Sequence, residues 1–182
     1  MAPRTWISPT TARFGGLSLS RDRFDRVPSW YRDPAAPEPN VPRRIGVTAL
    51  IERDDLYLVE RRVDDPGVWA FIGGTLEDGE QLVTALHREV REETGFEVAS
   101  VRLLGVFSDP TRVVGYPDGT VCRILSIAFR TAVAGGDEPQ VSSESAGMRF
   151  VSRDELAVLP FWPAQCPIRD ALLGDDTEPV VA

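Results

Sequence analysis

The sequence predicts an α/β (α+β) fold in which helices cover the faces of a mixed β-sheet. Segments with strand patterns lie both before and after one central segment with helical periodicity, and the turns and crossovers between them are short. The chain has 182 residues, which is enough for one domain with a sizeable core but few for two. We therefore expect one domain over residues 43–174, an extension over 1–42 and an acidic tail over 175–182.

The predicted extension is rich in proline and aromatic residues. Repeated prolines over residues 28–42 favour an extended backbone over a helix. Trp30 and Tyr31 are unlike the composition of a simple disordered tail, which is poor in aromatic residues. We expect this segment to wrap over the domain or over a second copy of it, so a homodimer is a candidate assembly.

Two apolar segments open the predicted domain. Residues 45–51 are β-branched and apolar and predict a buried strand, and residues 56–61 alternate and predict its hairpin partner. A short third strand is expected over 68–71, after which Gly73 and Gly74 begin a loop. The later elements are a helix over 81–94, strands over 98–107, 121–131 and 148–151, a helix over 154–158 capped by Ser152, and a last helix over 163–173.

The composition disfavours several classes of function. No apolar run approaches the ~20 residues needed to cross a bilayer, and the N-terminus lacks a secretory signal, so we expect a cytoplasmic protein without a membrane partner. A net charge of -8 repels duplex nucleic acid. His87 is the only histidine, and Cys122 and Cys166 lack metal-ligand spacing, which disfavours zinc and Ser-His-Asp chemistry.

The central helix carries acidic residues on an unexpected face. On a helical wheel its apolar stripe contains Leu82, Val83, Leu86 and Val90. A helix that is charged because it meets water would place its acids opposite this stripe. Glu93 instead falls inside the stripe and Glu89 lies at its edge. Such carboxylates need a compensating cation, and hard divalent ions such as Mg²⁺ are bound by carboxylates of this kind.

Residues 74–96, GTLEDGEQLVTALHREVREETGF, resemble the Nudix box, G-x5-E-x7-R-E-U-x-E-E-x-G-U, where U is a bulky apolar residue. Every fixed position is filled, and so many fixed residues at fixed spacing rarely coincide by chance. The approach to the box, residues 69–74, is also similar to that family, except that Ile72 stands where many members have proline. The order of the flanking strands extends the resemblance to about residues 43–160.

The resemblance implies a Nudix-like α/β/α sandwich around a mixed sheet. It also implies Mg²⁺-dependent hydrolysis of a nucleoside diphosphate linked to another group, with Mn²⁺ as a substitute ion. The implied metal ligands are Glu89, Glu92 and Glu93 with the Gly73 carbonyl. Arg88 would orient the carboxylates and Glu80 would anchor the loop, while Gly74 and Gly95 serve the backbone of the box. The general base would be Glu89 or Glu144, the latter in a later loop.

The box does not identify the substrate, which we expect to be a small nucleotide. Pro110 lies near the position where ADP-ribose-type members carry a proline, which favours ADP-ribose or an ADP-sugar. In the same region Arg112 could meet a phosphate and Tyr116 could stack on a base. The alternatives are a (deoxy)nucleoside triphosphate, cut to the monophosphate and pyrophosphate, and a non-catalytic nucleotide sensor.

Overall fold

The computed structural model of the chain describes residues 27–63, 67–136, 138–142, 145–174 and 178–182. Residues 1–26, most of the predicted extension, lie outside the described residues, as does Glu144. Within the described ranges, no helix is both long enough and apolar enough to span a membrane.

The described residues form ten strands, three α-helices and one 3₁₀-helix. The strands are β1 Ser29–Trp30, β2 Arg44–Arg53, β3 Leu56–Arg62, β4 Trp69–Ala70, β5 Ile72–Thr75, β6 Glu97–Phe107, β7 Val113–Gly115, β8 Val121–Ala134, β9 Ser145–Val151 and β10 Val180–Val181. The helices are α1 Leu82–Thr94, α2 Arg153–Val158, the 3₁₀-helix Pro163–Gln165 and α3 Cys166–Leu173.

The sheet is mixed and is organised around β2. This strand pairs in parallel with β8 and antiparallel with β5 and β3. The path across the described part of the sheet is β1-β7-β8-β2-β3-β4, with β6 against β8, β9 against β3 and β10 against β6. The antiparallel pairing of β5 with β2 places Gly73 opposite Thr48, and this brings the start of the box onto the centre of the sheet.

Two apolar cores lie on opposite faces of the sheet. On one face, Val47, Ala49 and Ile51 of β2 pack against Leu86 and Val90 of α1. On the other face, Leu50 packs with residues of α2 and α3, among them Leu156, Ile168 and Leu172. The two faces alternate along β2 because successive side chains of a strand point to opposite sides. The predicted α/β/α sandwich around a mixed sheet is therefore confirmed.

Several local expectations need correction. Gly73 and Gly74 belong to strand β5 and do not begin a loop, because their backbone pairs with β2. Val83 is 43% exposed, so the apolar stripe of α1 is narrower than the helical wheel predicts. The last helix is divided at Cys166 into a 3₁₀-turn and α3. In contrast, Ser152 caps α2 as predicted, since its side chain accepts the Glu155 N–H at 3.2 Å.

Besides β5, three short strands are not anticipated by the sequence pattern. They are β1, β7 and β10, each of two or three residues, which is too short for an alternating pattern to be visible. The last of them lies in the acidic C-terminal tail, where no strand is predicted. Val180 and Val181 pair in parallel with Gly105 and Val106 of β6, and the Ser108 N–H donates to the carbonyl of Ala182.

Candidate active site

Helix α1 presents its acidic residues to β5. Ala85, Leu86 and Val90 are fully buried and fix the helix on the sheet. The helix ends at Gly95, whose φ of 72° is left-handed and whose N–H donates to the Arg91 carbonyl. Glycine adopts this conformation without a Cβ penalty, which accounts for its place in the box.

Arg88 connects the loop before the helix with the acidic residues on it. Its Nε and Nη2 donate to the two carboxylate oxygens of Glu80, each at 3.0 Å. Its Nη1 donates to Glu89 at 2.8 Å and to Glu92 at 3.3 Å, and Nη2 also donates to the Thr75 carbonyl at 3.2 Å. The two-pronged pair with Arg88 lowers the pKa of the Glu80 carboxyl. The guanidinium therefore holds three carboxylates in one region, as an orienting residue would.

Glu93 is a buried carboxylate beside other acids. It is 8% exposed, and its Oε2 accepts the Gly73 N–H at 3.3 Å. Burial, with the nearby charges of Glu60 and Glu89, raises the pKa of the Glu93 carboxyl to about 9. Without a cation this group is therefore protonated at neutral pH, and a divalent ion would favour its ionised form.

Glu60 is an acidic residue of this site that the sequence analysis does not single out. It lies on β3, is 2% exposed, and is 3.8 Å from Nη1 of Arg62. The neighbouring residues Tyr57, Leu58 and Val59 are all buried, so both faces of this strand are covered. The signal in the sequence is an acidic residue directly after a run of apolar strand residues. It would have identified Glu60, because acidic side chains are rarely buried without a partner.

The two glycines of β5 allow the backbone to approach the site closely. A Cβ at Gly74 would overlap the carboxylate of Glu89, and a Cβ at Gly73 would overlap the backbone carbonyl of Val47. Gly73 also has a φ of 152°, a conformation that other residues rarely adopt. A larger residue at Gly73 would therefore meet backbone that cannot move aside, whereas a larger residue at Gly74 would displace the Glu89 carboxylate.

The donor set fits a hard divalent cation in its chemistry. Carboxylate oxygens are the ligands that Mg²⁺ and similar ions prefer, and a bound cation would oppose the burial and the neighbouring acids that raise the pKa of Glu93. Among the described residues, however, no three acidic, histidine or cysteine side chains already surround one point. Glu89 and Glu92 are both directed to Arg88, so an ion would compete with this arginine for them.

A pocket of about 330 Å³ extends from the acidic residues across the sheet. Glu89, Glu92 and Glu93 line it together with Arg62, and Thr48 and Ser126 contribute from the two central strands. Tyr116 and Trp162 form an aromatic wall of the same pocket. The Arg44 guanidinium lies 4.4 Å from the centre of the Tyr116 ring. The Arg62 guanidinium lies 5.5 Å from the centre of the Trp162 ring. The pocket therefore combines carboxylates, a cationic side chain and flat aromatic surfaces.

Of the two residues expected to contact a substrate, only Tyr116 lies in this pocket. Arg112 is fully buried, and its guanidinium donates to the carbonyls of Ala164 and Phe107 and to Oγ of Ser126, at 2.6–2.8 Å. All three nitrogens are engaged and none reaches the pocket surface. Arg112 is therefore a structural residue behind the pocket, which corrects its expected contact with a phosphate.

A second depression, of about 520 Å³, lies elsewhere on the surface. It is lined by residues of β2, β6 and β8 such as Arg53, Arg102 and Arg130, and it contains no residue of the box. The acidic residues and the aromatic wall meet only in the smaller pocket, which makes that pocket the candidate active site in the described part of the chain.

Comparison with known proteins places these features in a family. Residues 42–172 match the model of the NUDIX domain. Nucleoside triphosphatase NudI of Escherichia fergusonii is 35% identical over 121 residues, which cover 63% of this chain and 86% of that protein.

Solved structures share the fold. An ADP-ribose pyrophosphatase from Streptococcus suis is similar with a TM-score of 0.59 at 19% identity, over 76% of this chain and 98% of that one. A MutT protein from Bacillus halodurans is similar with a TM-score of 0.59 at 24% identity, over 73% of this chain and 84% of that one. At these identities the two structures support the architecture alone.

Proposed function

Because the chain belongs to the Nudix family of pyrophosphohydrolases, we propose that it hydrolyses a (deoxy)nucleoside triphosphate to the monophosphate and pyrophosphate. One observation carries this proposal: a single pocket joins the carboxylates of the box to the rings of Tyr116 and Trp162. The carboxylates suit a metal-bound polyphosphate, and the aromatic rings suit a base, since stacking on aromatic rings is a common way to hold one.

Two further observations favour a triphosphate over ADP-ribose or an ADP-sugar. The loop that carries Pro110 is held by the buried Arg112 and does not line the pocket. The relative NudI is named a nucleoside triphosphatase.

Members of the family need a divalent metal ion, and we propose Mg²⁺, with Mn²⁺ as a substitute. Glu89, Glu92 and Glu93 would hold it, together with the Gly73 carbonyl. When bound, such an ion neutralises phosphate charge and lowers the pKa of the attacking water. Arg88 fixes the direction of the carboxylates, and Glu80 ties Arg88 to the loop before α1.

The protein groups would then serve one displacement at phosphorus. A water molecule forms the new P–O bond, the anhydride P–O bond breaks, and the pyrophosphate leaves as an oxyanion. The proton of the water passes to a carboxylate, for which Glu89 and Glu144 are the candidates. Arg62, which lines the pocket near the acids, is placed to meet the phosphate chain. Glu144→Gln separates the two candidate bases, because full turnover by this variant would exclude Glu144.

A substrate panel tests the proposal. Purified protein is incubated with the eight common (deoxy)nucleoside triphosphates, ADP-ribose and an ADP-sugar, with Mg²⁺ or Mn²⁺, and products are separated by chromatography. Pyrophosphate and a monophosphate are expected from at least one triphosphate. AMP with a sugar phosphate would establish the ADP-ribose type instead. Tight nucleotide binding with no turnover of any compound would favour the non-catalytic sensor. Glu93→Gln is the inactive control.

The homodimer and the cytoplasmic location remain predictions. A dimeric mass by light scattering would support the first, and a monomeric mass would contradict it. Cell fractionation tests the second.

A further inference from the structure

Residues 27–41 precede the part of the chain that matches the family model, which begins at residue 42. The structure nevertheless packs them against the candidate active site. Val27 lines the pocket beside Trp162 and Tyr116, and it joins a cluster of apolar residues formed by Ala70, Val114, Trp162 and Ala164. We propose that this segment, 27–41, contributes Val27 to the wall of the pocket, supports its aromatic residues and so determines how tightly the nucleotide base is held. The inference deepens the proposed function and rests on it for the identity of the ligand.

The segment fixes Trp162 directly. The indole Nε1 of Trp162 donates to the backbone carbonyl of Val27 at 3.3 Å. Two residues further on, Oγ of Ser29 accepts the Ala164 N–H at 3.1 Å. These two hydrogen bonds join segment 27–41 to Trp162 and to Ala164, two residues further along the chain. The Trp162 side chain is 8% exposed, its polar edge is satisfied by the segment, and the Arg62 guanidinium lies 5.5 Å from the centre of its ring. In this setting Trp162 lines the pocket together with Arg62.

The segment also fixes the turn that carries Tyr116. The side chain of Asn40 donates to the Gly119 carbonyl at 2.9 Å and accepts the Val121 N–H at 2.8 Å. Within the turn, the Tyr116 N–H donates to the Thr120 carbonyl at 2.8 Å. Asn40, near the end of segment 27–41, is therefore hydrogen-bonded to the turn that carries Tyr116.

Backbone pairing joins the two attachment points. Ser29 and Trp30 pair antiparallel with Val114 and Val113 of β7, and the Gly115 N–H donates to the Pro28 carbonyl at 3.0 Å. Strand β7 leads directly into Tyr116. The two aromatic residues therefore come from distant parts of the chain, and segment 27–41 contacts the supports of both. A displacement of segment 27–41 would change the distance between the rings of Tyr116 and Trp162. The affinity for a base stacked on these rings depends on that distance.

The test compares ligands with and without a base. Full-length protein and its variants are titrated calorimetrically with the nucleoside monophosphate that binds wild type most tightly, and with inorganic tripolyphosphate, both with Mg²⁺. Val27→Phe fills space in the pocket beside Trp162, and Asn40→Asp keeps the acceptor for Val121 but replaces the donor to Gly119. We expect monophosphate affinity to fall by about tenfold in Val27→Phe and by about fivefold in Asn40→Asp, with tripolyphosphate affinity unchanged. Glu38→Gln, an exposed position of the same segment, is the matched control and should bind both ligands as wild type does.

Every outcome bears on the inference. Equal losses for both ligands together with a lower melting temperature would show that the segment only supports the fold, and this overturns the proposal. Unchanged monophosphate affinity in both variants overturns it as well. The selective loss supports it. Failure of the proposed function is recognised separately, because it consists of wild-type protein that turns over no triphosphate, whatever it binds.

Discussion

The carboxylate of Glu93 accepts a hydrogen bond from the backbone N–H of Gly73, at 3.3 Å, across the junction between α1 and β5. This contact joins a buried acid, 8% exposed, to a glycine whose conformation other residues rarely adopt. It is a stabilising contact for the ionised acid, but one N–H does not offset the burial of the charge beside Glu60 and Glu89, since the pKa of Glu93 still rises to about 9. Without a bound cation, Glu93 therefore keeps its proton at neutral pH.

The metal-free protein should lose stability as the pH rises from about 4.5 to about 9. In the unfolded chain Glu93 ionises near its ordinary pKa of 4.5, whereas in the folded protein it keeps its proton up to about 9. Between these values the folded state binds more protons, so the free energy of unfolding falls with increasing pH. We expect this carboxyl to account for a decrease of about 1–3 kcal/mol between pH 6 and pH 8.5, measured by urea denaturation with EDTA present.

Glu93→Gln separates the contribution of Glu93 to the pH dependence of stability from the contributions of the other acidic residues. The variant should be more stable than wild type at pH 8.5 and show a weaker pH dependence, while its hydrolytic activity is lost. Glu92→Gln, at an exposed position of the same helix turn, is the matched control for stability. A Glu93→Gln curve parallel to that of wild type would contradict the prediction.

Substitution of the two adjacent glycines of β5 should separate activity from stability. An alanine at Gly74 meets the Glu89 carboxylate, which is the end of a side chain and can move aside, whereas an alanine at Gly73 meets the backbone of Val47 in an unfavourable conformation. We expect Gly74→Ala to fold normally but to lose roughly 100-fold in kcat/KM, because misplaced catalytic groups cost about this factor. Gly73→Ala should instead lower the melting temperature. Melting curves and steady-state kinetics of both variants test this prediction. A destabilised Gly74→Ala together with a stable Gly73→Ala would contradict it.

Arg88 should not be replaceable by lysine. A lysine ammonium cannot reproduce the paired hydrogen bonds to both oxygens of Glu80 while also reaching Glu89. We expect Arg88→Lys to reduce kcat by roughly 10–100-fold, with a smaller effect on KM. Combined with Glu80→Gln in a double-mutant cycle, the two losses should be less than additive, because both remove the same pair. Additive losses would show that Glu80 and Arg88 act independently.

The sequence predicts the central helix and its chemistry better than the edges of the fold. The helical wheel places Glu93 among apolar residues, and the structure confirms its burial, because local periodicity alone determines which side of a helix an acid occupies. Glu60 is not found this way. The burial of Glu60 depends on the pairing of β3 with β4 and with β9. The pairing with β9 joins segments that are far apart in sequence. The same holds for Val27, whose place in the pocket follows from the pairing of β1 with β7.

Arg112 should matter for stability and hardly at all for substrate binding. Burial lowers the pKa of its guanidinium to about 10, so it is still charged at neutral pH and needs its acceptors at Phe107, Ser126 and Ala164. Replacement by methionine leaves these buried groups unpaired but also removes a buried charge, and we expect a net loss of about 2–4 kcal/mol in the free energy of unfolding. Urea denaturation measures the loss, and KM for the best substrate of the panel should stay within about twofold of wild type at a temperature where the variant is folded. Arg123→Met, which removes a guanidinium bonded to the Pro110 carbonyl at an exposed site, is the matched control and should change neither quantity. A large rise in KM for Arg112→Met, with little change in the free energy of unfolding, would contradict the prediction. It would indicate that Arg112 contacts a substrate phosphate despite its burial.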